Sequence, residues 1–122
     1  MVLLFAHVCE SAFVSEGSKS LNIIGIFDKI GAQRFPAVHP KFSVVTAIQG
    51  AVGTYEQIIT ITNQETGQEV SRVVGQSVIS VLNGRAVFMA NFIMVTFPVP
   101  GKYSANIFVA NNEIGKIEFN VG

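Results

Sequence analysis

The sequence has no tryptophan, one cysteine and little charge. Without Trp it lacks the largest aromatic platform for stacking on bases or sugars. A lone cysteine, Cys9, excludes an internal disulfide, and a domain without disulfides fits a reducing compartment. Charged residues make up 13% of the chain, against about 25% in soluble domains. The eight basic and eight acidic residues cancel and are scattered singly. No basic stripe is present to track phosphates, which argues against nucleic acid. No polybasic patch is present to hold a membrane surface, and no apolar run approaches the roughly 18 residues of a membrane helix. The N-terminal MVLLFAHVC has no basic residue ahead of its short apolar run. Ala6, His7 and Val8 before Cys9 match a lipoprotein cleavage site poorly. The segment reads as a first strand, and the protein as cytoplasmic.

What the chain does have is apolar residues, 49% of its 122. That length allows one domain, residues 1–122, with a core that needs no staples. Short segments rich in Val, Ile, Phe and Thr recur with turn residues between them, and no window carries a helix period. The expected architecture is all-β: an immunoglobulin-like antiparallel β-sandwich of seven to nine strands with no internal disulfide. Expected strands are Val2 to Cys9, Leu21 to Ile30, Phe42 to Ile48, Tyr55 to Thr62, Gln68 to Val74, Ala86 to Phe97, Lys102 to Ala110 and Ile114 to Val121. Ser77 to Leu82 reads as a short strand or a turn-like crossing. Gly25 suggests a bulge or a close backbone approach. Ala32 to Pro40 carries two prolines and reads as an extended connection, excluded from a central strand. Asn83-Gly84 and Asn111-Asn112 are turn signals.

The architecture is most legible near the C-terminus, in FPVPGKYSANIFVANNEIGKIEFNVG. Pro100 and Gly101 form a corner, and Tyr103 stands at the start of the next strand. In immunoglobulin-type sandwiches a Tyr there anchors the corner through its hydroxyl, two residues before a core cysteine. Here that second position is Ala105, which points to a disulfide-free sandwich.

The pieces LNIIGIFDKI (Leu21 to Ile30), FPAVHP (Phe35 to Pro40) and PGKY (Pro100 to Tyr103) follow an apolar first strand. In order and spacing the chain resembles a family of uncharacterised small bacterial β-sandwich proteins along nearly its full length. The resemblance implies a β-sandwich and no known activity. Members often carry an Asp soon after the first apolar run. AHVCESA has none at that place.

No residue set forms a catalytic signature. His7 and Cys9 share a strand face, and with Asp28 or His39 they are the candidates for a metal site. Zinc needs three or four ligands, and spacing pairs only two of these. The plain reading is a strand whose His and Cys pack against apolar neighbours. His39 lies in the proline-flanked connection, where catalysis would need a carboxylate or nucleophile in reach. Asp28 at a strand end reads as a turn residue. No cofactor is expected. The more suggestive feature is apolar surface. Phe88, Ala90, Phe92 and Met94 share one face of their strand by alternation, Val87 to Val95 the other, and neither is charged. Leu4 and Phe5 pose the same question on the first strand. Phe88, Phe92, Met94, Leu4 and Phe5 are the interface candidates.

Three functions compete. The first is a self-associating interaction or structural module without catalytic activity, whose partner is another copy or another protein. The second is a sandwich that binds a small molecule or sugar, a thin case when only Tyr55 and Tyr103 accompany the missing Trp. The third is a hydrolase centred on His39. The first is the expectation taken forward.

Overall fold

The computed structural model describes all 122 residues, as nine strands and no helix. The strands are β1 (Val2–Val14), β2 (Leu21–Ile26), β3 (Lys29–Ile30), β4 (Ala37–Gln49), β5 (Gly53–Asn63), β6 (Glu69–Ile79), β7 (Arg85–Phe97), β8 (Gly101–Val109) and β9 (Asn112–Val121). They form a two-sheet sandwich. One sheet has the order β2-β1-β4-β7 and the other β3-β9-β8-β5-β6. All pairings are antiparallel except that of the two-residue β3 with β9.

Alternation explains how the sheets meet. From β4, Phe42 and Val44 point inward; from β5, Ile59 and Ile61; from β8, Tyr103, Ala105 and Ile107. With Phe92, Phe97 and Phe119 they form the main core cluster. A smaller cluster of Ile48, Ile79, Ala86 and Val109 fills the far end. Between the two lies a buried polar bridge. Ser77 Oγ donates to Gln57 Oε1 at 2.7 Å, and Gln57 Nε2 donates to Thr46 Oγ1 at 2.5 Å. Three strands thus share a satisfied hydrogen-bond chain, which avoids the cost of an unpaired buried amide.

The corner anticipated around Pro100, Gly101 and Tyr103 is present. Tyr103 is fully buried, and its hydroxyl donates to the Val99 carbonyl at 2.6 Å. Its ring meets Phe97 edge-on at 4.9 Å. This is the bond that pins such corners in immunoglobulin-type sandwiches. Ala105 is buried where those domains carry a cysteine.

Several details differ from the sequence expectation. Leu21 to Ile30 is two strands, because the chain leaves one sheet at Phe27 and joins the other at Lys29. The expected segments Gln68 to Val74 and Ser77 to Leu82 merge in part into the single strand β6, Glu69–Ile79. The β8–β9 turn is centred on Ala110 and Asn111, both with positive φ, one residue earlier than expected. Gly25 does admit a close approach: φ is +69°, and a Cβ there would lie 2.7 Å from the Glu10 side chain.

Pro40 falls inside β4, although a proline was not expected in a central strand. The reason is the path of β1. It pairs with β4 only from Val2 to Cys9, then leaves to pair with β2 from Cys9 to Val14. At Pro40 β4 therefore has β7 alone as its partner, and the missing N–H leaves no gap in a second ladder. The β4–β7 pairing also skips the Pro40–Met94 position, where Met94 has φ +51°.

Candidate functional site

The skipped pair reverses the faces of both strands. Up to Phe42 and Phe92 the even-numbered residues point inward; beyond it His39, Val95 and Phe97 do. Ile93 and Met94 are consequently both outside, at 60% and 62% exposure. This corrects the expected grouping of the interface candidates. Phe92 is a core residue stacked on Phe42 at 5.1 Å. Phe88 also turns inward, half-buried against the core, and its ring occupies the space a Cβ at Gly75 would need, 2.5 Å away. Of the three, only Met94 faces solvent, and Val95 joins the core rather than the outer face.

The outer face of the β2-β1-β4-β7 sheet is nevertheless apolar. Its register sets Phe5 beside Ala47 and Val87, His7 beside Val45 and Met89, and Cys9 beside Ser43 and Asn91. Leu4 is the extra residue of an irregularity between Leu3 and Phe5, which lets Leu3 reach the core while Leu4 stays exposed. Phe5 and His7 stack with ring centroids 5.5 Å apart. Val45 and Ala47 are buried beneath these neighbours. Lys41 and Arg85 mark the two ends of the face along β4 and β7. β2 extends the sheet with Ile26 paired to Cys9, and both Ile24 and Ile26 are half exposed or more.

Beyond Cys9, β1 and β2 pair only with each other and close through the Ser15 to Ser20 loop. This two-stranded arm exposes Phe13, Val14, Ile24 and Ile26. A two-stranded hairpin is marginal by itself in water, and these side chains find no cover within the chain.

The candidate ligand residues are dispersed. Cys9 is fully buried, its thiol donating to the Ser43 carbonyl at 3.6 Å. Burial pushes the thiol pKa up from 9.0, partly offset by a backbone hydrogen bond at Ser11. Asp28 is exposed at the sheet-switching corner, where its carbonyl accepts the Asn120 N–H. His39 packs near Phe42 at 5.8 Å and lines a cleft of about 160 Å³ with Glu10 and Lys29. That cleft opens where β1 leaves β4. It brings neither Asp28 nor a serine to the His39 ring. Nowhere do three His, Cys, Asp or Glu side chains come together as metal ligands.

Sequence reading missed the largest concavity, a groove of about 490 Å³ across the outer face of the other sheet. Register sets Arg72, Thr60, Asn106 and Lys116 in one row over β6, β5, β8 and β9. Asn106 Nδ2 donates to Thr60 Oγ1 at 3.1 Å and to Thr62 Oγ1 at 2.9 Å, and Ser104 Oγ donates to Asn106 Oδ1 at 2.9 Å. Arg72 makes two bonds to Glu69, 3.0 and 2.8 Å long. These bonds hold the Glu69 carboxyl below its ordinary pKa. The only sequence signal was alternation, which puts Thr60, Thr62 and Asn106 on the side opposite the core residues of β5 and β8.

The fold and its two faces define a disulfide-free β-sandwich with one apolar and one polar outer sheet. The chain belongs to a family of unknown function, DUF6941, which it matches over residues 4–122. No curated protein matches it. Among solved structures it is similar to Pseudomonas fluorescens alkylpurine DNA glycosylase AlkC bound to DNA containing an abasic site analog. The TM-score is 0.52 at 12% identity, over 95% of this chain and 30% of that one. The chain thus spans under a third of that protein, and the likeness is one of fold alone.

Proposed function

We propose that this protein is a cytoplasmic, immunoglobulin-like interaction module of bacterial type that associates with a second copy of itself and performs no catalysis. The observation that carries the reading is the uncovered β1–β2 arm and the apolar sheet face continuous with it. Three strands of 13 residues together with β2 give that face a footprint of roughly 700 Å², at ~3.3 Å rise and ~4.8 Å strand spacing. Each partner in a stable complex contributes about 800 Å². A two-fold contact sets residue i against j and j against i, so only residues near its axis meet their own symmetry mates. The apolar stretch between Lys41 and Arg85 suits the middle of such a contact. The even scatter of the chain's charges supports a protein partner over nucleic acid or membrane. No helix is long and apolar enough to cross a membrane.

The test is sedimentation of the whole chain at about 10 μM, in the range of ordinary dimer affinities. The expected species is a dimer or a larger symmetric assembly. Ile26→Lys and Ile93→Lys together place four charges in a two-fold contact. They should weaken association at least ~100-fold, about 2.7 kcal/mol. A wild-type monomer under these conditions overturns the reading, as does association indifferent to both lysines.

A further inference from the structure

We infer that the groove across β6, β5, β8 and β9 is a binding site for a neutral oligosaccharide. The inference is independent of self-association, because the groove lies on the opposite outer face. Its volume, about 490 Å³, falls within the ~300–1,000 Å³ of small-ligand sites. Its length also suits an elongated ligand. Gly67 in the β5–β6 turn lies at one end and Asn111 in the β8–β9 turn at the other.

The floor is preorganised. Asn106 spends both amide protons on Thr60 and Thr62, so each hydroxyl accepts a bond along the sheet and keeps its own proton free to donate. Thr60 is only 5% exposed and Ser104 fully buried, so this row is set in the sheet rather than waving in solvent. Gln64 donates to Ser104, and Lys116 Nζ reaches Gln64 Oε1 at 3.4 Å, which fixes Ser104 at the end of the hydrogen-bonded row. Arg72 points Nε and Nη2 at Glu69 and leaves Nη1 unengaged. One step along the face, half-buried Phe108 and Ile58 stand side by side as an apolar platform.

The ligand class follows from this mixture. Sugar hydroxyls both donate and accept, and here Thr and Arg donors stand beside the Glu69 and Glu113 carboxylates. A sugar ring's C–H face fits an aromatic platform, which Phe108 supplies in place of the absent Trp. An anion is disfavoured, because Glu69 already neutralises Arg72 and Glu113 adds a second carboxylate to the lining. An apolar ligand is disfavoured because Ile58 and Phe108 are the only apolar side chains in it.

The test is amide NMR of the full chain titrated with cellotriose, maltotriose and chitotriose, each to about 20 mM, with inorganic phosphate in parallel. At least one trisaccharide should shift the amides of Thr60, Thr62, Asn106 and Phe108 with Kd near ~1 mM. Arg72→Ala should weaken binding about tenfold. Phe108→Ala should do the same, its native spectrum reporting that the fold is kept. The Ile26→Lys, Ile93→Lys variant should bind as wild type does, which separates this proposal from self-association. No shift with any of the three sugars overturns it. So do shifts confined to the other sheet, and so does a response to phosphate alone.

Discussion

The outer faces of the two sheets follow the same alternation and differ in their central chemistry, apolar on one and hydrogen-bonded polar on the other. On β4 and its neighbours the outward positions are Val45, Ala47, Val87 and Met89, with exposed Ile93 and Met94 beyond them. On β5 and its neighbours they include Thr60, Thr62 and Asn106, tied into a hydrogen-bonded row, and Arg72 bonded to Glu69, with Ile58, Phe108 and the exposed Val74 and Val78 further along the same face. The interior draws equally on both sheets, so core formation explains neither face. A polar outer face is the ordinary solvated side of an antiparallel sheet. An apolar one, extended by a two-stranded arm, is the kind of surface that marks an interaction site. The proposed protein contact on one face and the proposed small polar ligand on the other rest on this difference.

The largest expected effect tests where the boundary of the apolar face lies. Phe92→Ala should cost about 3–5 kcal/mol of stability, because it empties a site in the middle of the core. Met94→Ala, two residues on, should stay within about 0.5 kcal/mol in the Ile26→Lys, Ile93→Lys background. Urea denaturation reads both. Comparable losses at the two positions would mean that the strand does not reverse its faces at Met94, and the outer face would have to be redrawn.

A second, smaller effect concerns the sealed middle of the apolar face. Cys9 points to that side but is buried beneath its neighbours. Its thiol should react with a disulfide reagent far more slowly in the native chain than in urea, because burial raises the pKa and blocks access. In the unfolded chain the thiol ionises near its ordinary value of 9.0, while the folded chain keeps it protonated. Its contribution to stability is therefore fully present below that value and is lost as pH rises from it toward the folded pKa. A Cys9→Ala variant should show a weaker alkaline loss. Rapid native labelling would show that the face is open.

The smallest effect belongs to the polar face. The carboxylate of Glu69 is held ionised by Arg72, so the pair contributes above the ordinary Glu pKa of 4.5. The contribution is lost as pH falls through the lower folded value. Both side chains are well exposed, 51% for Arg72 and 40% for Glu69, so water and salt screen the pair and its effect on stability is slight. Glu69→Gln and wild type should differ slightly at neutral pH, less in high salt, and not at all well below the folded pKa. A difference that persists in strong acid would assign Glu69 some role other than its ion pair.

Much of the scaffold was legible in the chain. Alternation marked the long strands, and the Pro100-Gly101 corner with Tyr103 announced the hydroxyl bond to Val99. The composition, rich in apolar residues and poor in charge, announced a surplus of apolar surface. Its location was not legible. Alternation counted from Phe88 grouped Met94 on one face with Phe88 and Phe92, because nothing in the residues shows that Met94 takes a positive φ opposite Pro40. The groove was invisible for a similar reason. Thr60, Arg72 and Asn106 become neighbours only through the register of β6, β5 and β8.

The sequence by itself determined what depends on neighbours along the chain: strand content, turn positions, the tyrosine corner, the absence of a disulfide and the excess of apolar side chains. Tertiary structure alone decided which sheet each strand joins, where β1 leaves β4, which phenylalanines are core and which face is left bare. The physical reason is the two-residue period of a strand. It states that two faces differ, but which one meets the core is set by long-range pairing, and a single reversal of the backbone exchanges them.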